Sequence, residues 1–458
     1  MNTPSYVVDT NGTKYVLGRA LGTGGQGTVF EVEGGRFAVK LLATQPKIDS
    51  RRVERQFMFL KHLSLNDLPI AKPVSVLRPP HAGYVMPLLG GMAPMAQLVL
   101  PPRGCRSMRT WYREGGCIKR RLDCLASAGE TVAGLHAMGL CYGDISPANI
   151  FIPPPTADTE SWLIDSDNLR HESGAVTQQF CTPGYGAPEV VSRTGTTSSL
   201  SDAHSLAVLV FLALAQCHPL IGDLVHDGEP ELEERAFAGE LPWVDHPTDS
   251  TNRSSRGIPR SVVFSTGLGE LARRAFTGGL LDRAQRPSAG EWAEGLRRAA
   301  AHCLVCRDCR GSYYRNSEHC SWCGKPREAF VYAKARTQLA NSKEFLKGPA
   351  DSERVEDSFV ISDGDSAILR AATAFGLSAS NRRASVARLK SDRKVLVLER
   401  VSEEAYIEIR DGTRRGSLGT DPLQITVDAG LSKWSLHFGP ETSNHRVVDF
   451  TYYAGGRA

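Results

Sequence analysis

Nothing in this chain is apolar for long enough to cross a bilayer. The most apolar run, Leu206–Cys217, falls short of the ~20 residues a spanning helix needs and fits a buried helix instead. Charge of one sign is scarce too. A net charge of +4 gives no basis for nucleic acid or an acidic membrane surface as partner. Residues 1–15 carry no basic region followed by an apolar segment, so no secretory signal is expected. No internal repeat is visible. Cysteine is unevenly spread: of 11, Cys105, Cys117, Cys124, Cys141, Cys181 and Cys217 are scattered, and five crowd between 303 and 323. An odd, clustered set argues against a disulfide framework and for metal binding in a reducing cytoplasm.

What is present is ordinary globular material. A chain of 458 residues, 41% hydrophobic and 23% charged, has room for two to four domains. After an N-terminal segment, 1–13, short strands with a Gly-rich turn occupy 14–45. Helical apolar spacing follows at 51–63 (Val53, Phe57, Leu60) and at 119–138 (Leu122, Leu125, Val132, Leu135). Strand-like Asn149–Ile152 and Ser161–Ile164 flank a Pro-rich turn, and helices dominate to about residue 300. The cysteine cluster takes 303–325. Residues 326–357 mix charges of both signs with few aromatics and read as a connector. From Phe359 the period turns to two. Val395–Val401, Ala405–Arg410, Leu423–Val427, Trp434–Phe438 and Val447–Tyr453 are candidate strands of an all-β domain over 358–458, a sandwich or barrel.

Several motifs stand in chain order. Gly22, Gly24 and Gly27 have G-x-G-x-x-G spacing, which lets backbone amides approach phosphates. The same glycines could make a plain hairpin turn. A dinucleotide site would need a helix next, whereas Thr28-Val29-Phe30-Glu31-Val32 continues as a strand, which favours a hairpin folded over ATP. Phe37-Ala38-Val39-Lys40 ends an apolar strand on a lysine. A lysine at a buried edge wants an anion, although a single strand lysine is more often on the surface. Glu54, in the helix that follows, is the natural pairing carboxylate; neighbouring Arg51, Arg52 and Arg55 also fit a solvated helix face.

Tyr142-Gly143-Asp144-Ile145-Ser146-Pro147-Ala148-Asn149 sets an aspartate five positions before an asparagine, ahead of an apolar run. The Asp suits orientation of an attacking hydroxyl, and the Asn suits a metal ion on nucleotide phosphates. Asp165 follows a second apolar run, where a carboxylate should come to chelate magnesium, with Asp167 a nearby competitor. Thr182-Pro183-Gly184-Tyr185-Gly186-Ala187-Pro188-Glu189 is the most specific match in the chain. Glu189 would pair with Arg286. Asp202 would bond the backbone of the 142–149 loop, or cap its own helix.

Over roughly 14–300 these motifs resemble the eukaryotic-like Ser/Thr protein kinase family. The resemblance implies an α+β, two-lobed fold with ATP in the cleft. It implies Asp144 as catalytic base, Lys40 and Glu54 as an ion pair, and Gly22, Gly24, Gly27, Val29, Lys40, Asn149 and Asp165 around the nucleotide. Asn149 and Asp165 would hold Mg2+, and Thr182 matches the loop threonine of Ser/Thr kinases. There are departures. Tyr142 and Gly143 stand where the family has His-Arg, so no arginine clamps a phosphorylated activation loop. Ser146 replaces a phosphate-steadying Lys, and Ser166-Asp167 replaces Phe-Gly. A narrower resemblance is to bacterial kinases with a following zinc ribbon. Their genes accompany a PP2C-type phosphatase and a von Willebrand A-domain protein in tellurite-resistance-like clusters.

Cys306-x2-Cys309 and Cys320-x2-Cys323-Gly324 form a zinc-ribbon pattern of two knuckles. Cys303 makes a second register conceivable, but it lies at the end of the helix expected over Glu291–His302. Zinc ribbons also bind nucleic acid; the balanced local charge favours protein docking or bracing. Three functions compete. The leading one is an ATP-dependent kinase of protein Ser/Thr hydroxyls, with the ribbon and β domain docking partners. The second is a pseudokinase scaffold, motivated by the departures. The third, a small-molecule phosphotransferase, is disfavoured by the protein-like segment 182–189.

Overall fold

In a computed structural model the described residues are 4–24, 27–42, 50–65 (50–53 as backbone alone), 67–155, 160–174, 181–340, 357–376, 384–392, 394–411, 414–428, 431 and 433–456. The chain divides into two compact units. One comprises Met1–Met108, Asp123–Arg260 and Thr266–Leu296; the other comprises Arg109–Leu122, Ser261–Ser265 and Arg297–Ala458. No helix among the described residues is long and apolar enough to cross a membrane.

The first unit opens with β1 (Tyr6–Val8), β2 (Lys14–Gly24), β3 (Gly27–Val32), β4 (Phe37–Leu42), β5 (Ser75–Val76) and β6 (Gly83–Pro87). They make one antiparallel sheet in the order β1-β2-β3-β4-β6-β5. Helix α1 (Ser50–His62) lies between β4 and β5 in sequence. Side chains alternate along each strand. On β4, Phe37, Val39 and Leu41 join Val7, Val32, Leu77 and Val85 in an apolar cluster. Ala38 and Lys40 must therefore point to the opposite face, and both are buried there.

Three short strands position the loops that matter. β7 (Ala93–Pro94), β9 (Ile150–Ile152) and β10 (Trp162–Leu163) form a sheet in the order β10-β9-β7, and β8 (Leu140–Cys141) pairs with β11 (Arg170–His171). The segment between β8 and β9 carries Asp144 and Asn149. Leu163 sits opposite Ile150, and Ile164 N donates to the Asn149 carbonyl at 2.9 Å. That antiparallel register brings Asp165 beside Asn149. The expected helices form at Ser50–His62 and Cys117–Ala137, and the apolar run falls in Ser199–Ala215 as far as Ala215, with Gln216 and Cys217 beyond the helix end. This last helix is buried nearly all round and begins with a capping box of Ser198 and Ser201.

In the second unit, β12 (Cys303–Val305) and β13 (Ser312–Tyr314) make a hairpin. Among the described residues, ten strands then build two sheets. β14 (Phe330–Gln338), β15 (Asp357–Ser362), β19 (Glu408–Asp411), β20 (Arg414–Ser417), β22 (Trp434–Phe438) and β23 (His445–Tyr453) form one, in the order β15-β14-β23-β22-β19-β20. β16 (Ser366–Arg370), β17 (Ser385–Asp392), β18 (Val395–Arg400) and β21 (Leu423–Thr426) form the other, in that order. Val331, Ala333, Val448 and Phe450 of the first sheet share one buried core with Ala387, Leu389, Leu396 and Ile425 of the second. The domain is therefore a sandwich.

One expectation needs correction. The span 326–357 is not only a connector, because β14 lies within it and pairs with both β15 and β23. Its inward residues include small Ala333 and Ala335, while Lys334 and Arg336 alternate outward. The charge disguised the strand. The rest of that connector, 341–356, lies outside the described residues.

Within the sandwich, His437 Nδ1 lies 2.9 Å from His445 Nε2, and both rings are buried. Burial, with the charge of Arg410, lowers the His437 pKa to about 4, from 6.5 when unperturbed. The unfolded chain therefore takes up a proton that the fold refuses. Stability contributed by neutral His437 is complete above pH 6.5 and is lost as the pH falls toward 4. Urea midpoints measured across that window should fall with acid, and His437→Gln should flatten the decline. An unchanged slope would show that His437 does not set it.

Candidate active site

Lys40 is fixed by its strand. Its stem is buried, and Nζ donates to Asp165 Oδ1 and Asp167 Oδ2, both at 2.7 Å. Burial alone would lower the ammonium's pKa; the charges of Asp167 and Asp165 outweigh it and hold it above the usual value. Asp165 is pushed the other way. Burial and the Asp167 charge raise it to about 6, against the pull of Lys40. Its backbone is left-handed, at φ 57° and ψ 63°, which is uncommon for a residue with a side chain. The carbonyl before it, on Ile164, accepts from the Tyr142 hydroxyl.

Asp144 is gripped from two sides. Oδ1 accepts from Thr182 N at 2.9 Å and Thr182 Oγ1 at 2.7 Å. Oδ2 accepts from Asn149 Nδ2 at 2.9 Å, and the same amide group donates to the Asp144 carbonyl at 3.0 Å. Asn149 thus spends its N–H groups on Asp144, leaving its side-chain oxygen as a hard donor for a cation. The loop itself hangs on Asp202. That buried carboxylate accepts from Tyr142 N at 2.6 Å and Gly143 N at 2.9 Å, with His136 Nε2 at 3.2 Å. Gly143 has φ 85°, a conformation that favours glycine. Asp202 is not its helix's cap; Ser198 holds that position.

The Gly-rich segment is the β2–β3 hairpin, with Gly24 opposite Gly27 and residues 25–26 outside the described set. Gly22 and Gly24 face open space, whereas a Cβ on Gly27 would meet the Leu41 carbonyl oxygen at 2.1 Å. Val29 lies opposite Lys40 in the β3–β4 register. Ser146 is buried.

The expected Lys40–Glu54 pair is not what this structure holds. Glu54 is exposed on α1, while Gln56 of the same helix reaches back to the Ser166 and Leu169 carbonyls at 3.2 and 2.8 Å. Two residues along a helix turn roughly 200° around its axis, so Glu54 and Gln56 face nearly opposite ways. The neutral amide takes the inward position, and lysine finds its carboxylates in the 165–167 turn. The sequence offers Asp167 only as a competitor of Asp165, and it carries no signal for Gln56.

Glu189 and Arg286 meet as a two-pronged pair, 2.8 Å at each contact, with Arg286 also donating to the Gly279 and Leu200 carbonyls. Burial would raise the Glu189 carboxyl, but Arg286 holds it below its usual value.

The cysteine cluster lies in the second unit. The sulfurs of Cys306, Cys309, Cys320 and Cys323 all fall within 4.8 Å of one another. Cys306–Cys323 and Cys309–Cys320 are 3.6 and 3.7 Å apart. Tetrahedral thiolates at ~2.3 Å from a zinc ion stand ~3.8 Å from each other, so the cluster is compatible with Zn2+. Both knuckles close alike: Arg310 N donates to the Cys306 carbonyl and Gly324 N to that of Cys320, each at 2.9 Å, with Arg310 and Gly324 both left-handed. Cys303 is outside the set. It sits on β12, and its thiol donates to the Ala299 carbonyl at 3.4 Å.

Comparison with known proteins agrees with this geometry. Residues 15–255, more than half of the chain, match the protein kinase domain family. The chain belongs to that family. It is similar to the protein kinase YegI of Escherichia coli K12, at 23% identity over 72% of this chain and 52% of the relative. It is also similar to the serine/threonine-protein kinase PknA of Mycobacterium tuberculosis, at 28% identity over 46% of this chain and 48% of the relative. A plant relative, CBL-interacting serine/threonine-protein kinase 15 of Arabidopsis thaliana, is 26% identical over 31% of this chain and 36% of its own length. The chain thus spans about half the length of the first two.

Removing one partner of a buried ion pair strands the other. Glu189→Gln should cost about 3–5 kcal/mol of stability in denaturant unfolding. A loss below about 1 kcal/mol would mean that the pair does not brace the segment.

Proposed function

We propose that this chain is an ATP-dependent protein Ser/Thr kinase. The observation that carries the reading is the convergence of Lys40, Asp144, Asn149 and Asp165, delivered by three different parts of the fold. Thr182 on Asp144 and the Glu189–Arg286 brace support a protein hydroxyl as acceptor.

Asp165 and the Asn149 oxygen would hold Mg2+, which supplies neutralisation of phosphate charge when bound. Lys40 binds phosphate oxygens from the opposite wall. Asp144 orients the incoming hydroxyl and receives its proton, while Thr182 and Asn149 keep the carboxylate from rotating. The Gly22–Gly27 hairpin covers the phosphates with backbone amides. Orientation and charge neutralisation are most of what phosphoryl transfer needs. Ser146 supplies no cation at the site, so the rate is expected to be modest. We assign Zn2+ to the four cysteines as a structural ion, and partner docking to the ribbon and sandwich. Protein substrates are the proposed partners in a cytoplasmic setting. The narrower resemblance adds a PP2C-type phosphatase and a von Willebrand A-domain protein.

Two mutants separate the roles. Asp144→Ala should abolish transfer and leave Mg-ATP affinity nearly unchanged in calorimetry. Asp165→Ala should lose both metal-dependent binding and transfer. If Asp144→Ala stays fully active in single-turnover assays, the assignment of the loop fails. If wild type binds Mg-ATP and phosphorylates neither itself nor any protein, the pseudokinase scaffold replaces the kinase.

Freshly purified protein should carry one zinc per chain by metal analysis. Chelation should release it and expose the thiols of Cys306, Cys309, Cys320 and Cys323 to alkylation while sparing nucleotide binding. Metal-free protein with all four thiols already reactive would contradict the assignment.

A further inference from the structure

We propose that Asp167 is the residue that positions Lys40 for the nucleotide, doing from the 165–167 turn what a carboxylate on α1 was expected to do, and so freeing the phosphate-binding lysine from dependence on Glu54. The proposal rests on the reading of the cleft as a Mg-nucleoside triphosphate site.

Four observations converge on it. Lys40 Nζ is 2.7 Å from Asp167 Oδ2, as close as it is to Asp165. Glu54 is exposed. The Asp167 turn is pinned to α1 through neutral bonds, by Gln56 on the Ser166 and Leu169 carbonyls. Tyr84, opposite Lys40 across β4 and β6, is buried, with its ring centroid 5.8 Å from Nζ. Its phenol is raised well above the usual value by burial and by the charges of Asp167 and Asp165.

Charge counting separates the two carboxylates. One ammonium between two aspartates leaves a single negative charge in a largely buried site. A divalent cation claiming Asp165 would strip Lys40 of that partner. Asp167 then remains to hold the ammonium in place while it meets the phosphates. With only one aspartate in the turn, lysine and metal would compete for it, and a helix-borne carboxylate would be required. Here the second aspartate is built in, and the inward place on α1 is filled by an amide.

The test is a double-mutant cycle on full-length protein. Mg-ATP affinity by calorimetry and KM against kcat are measured for Asp167→Asn, Glu54→Gln, Lys40→Ala and Lys40→Ala with Asp167→Asn. Circular dichroism melts check that each variant is folded. Asp167→Asn, which keeps the side chain's shape, should weaken Mg-ATP by about tenfold or more and raise KM more than it lowers kcat. Glu54→Gln should stay within about twofold. In the Lys40→Ala background Asp167→Asn should add almost nothing, because its work passes through Lys40. A merely structural role would give additive losses. Additivity, a silent Asp167→Asn or an impaired Glu54→Gln each overturns the proposal. Wild type that binds Mg-ATP without transferring phosphate would overturn the kinase reading instead, and the calorimetric cycle would still judge Asp167. Wild type that binds no Mg-ATP overturns both.

Discussion

The functional geometry hangs on one buried carboxylate. Asp202 accepts the amides of Tyr142 and Gly143 at 2.6 and 2.9 Å. Those N–H groups lie in a loop with no strand partner to satisfy them, and a buried unpaired amide is costly. By taking both, Asp202 makes the turn through Gly143 affordable and fixes where Asp144 emerges. Everything beyond it follows by short links. Asp144 meets Asn149 and Thr182, Asn149 abuts Ile164 through the strand register, and Ile164 leads to Asp165. The helix carrying Asp202 is buried nearly all round, so the anchor is as immobile as the core itself.

The site divides labour between rigid and adjustable parts. Asp144 is held through three side-chain hydrogen bonds from two residues, and its orientation is set before any ligand arrives. The lysine cluster is different in kind: one ammonium is shared between two carboxylates, Asp165 and Asp167, and that sharing can be redrawn. The Tyr142 hydroxyl on the Ile164 carbonyl links the two parts. Tyr142, which stands where the resembled family has a histidine, reaches the neighbouring strand's end.

Much of this was legible in the chain itself. Asp144, Asn149, Asp165 and Lys40 could be singled out by their spacing, and the fold links them: Lys40 bonds Asp165, Asn149 bonds Asp144, and Ile164, next to Asp165, bonds Asn149. Glu189 and Arg286 could be paired across a long stretch of sequence by their motifs. The two cysteine knuckles were legible in their spacing, and the fold gathers the sulfurs of Cys306, Cys309, Cys320 and Cys323 and leaves Cys303 outside the set. What spacing could not convey was orientation. Glu54 lies at a plausible distance in sequence but on the wrong side of its helix, and only the packing of Gln56 reveals that. Strand β14 was hidden for a related reason. Its outward lysine and arginine dominated the composition, while its inward alanines carried little hydrophobic signal.

Strand β14 also governs how the second unit can be made. It pairs along its whole length with β23, from Phe330 opposite Tyr453 to Gln338 opposite His445. Those partners are separated by most of the sandwich's sequence. Closing so long a loop is entropically expensive and slow, and on the ribosome it cannot begin until β23 has emerged. Until then β14 offers an unpaired edge, and the chain crosses between the two sheets without a finished core to receive it. The cysteine hairpin, built from contacts local in sequence, has no such wait. Synthesis therefore yields a nascent chain whose cysteine knuckles can form while its sandwich is still open, a period in which a strand-covering chaperone would have the most to protect.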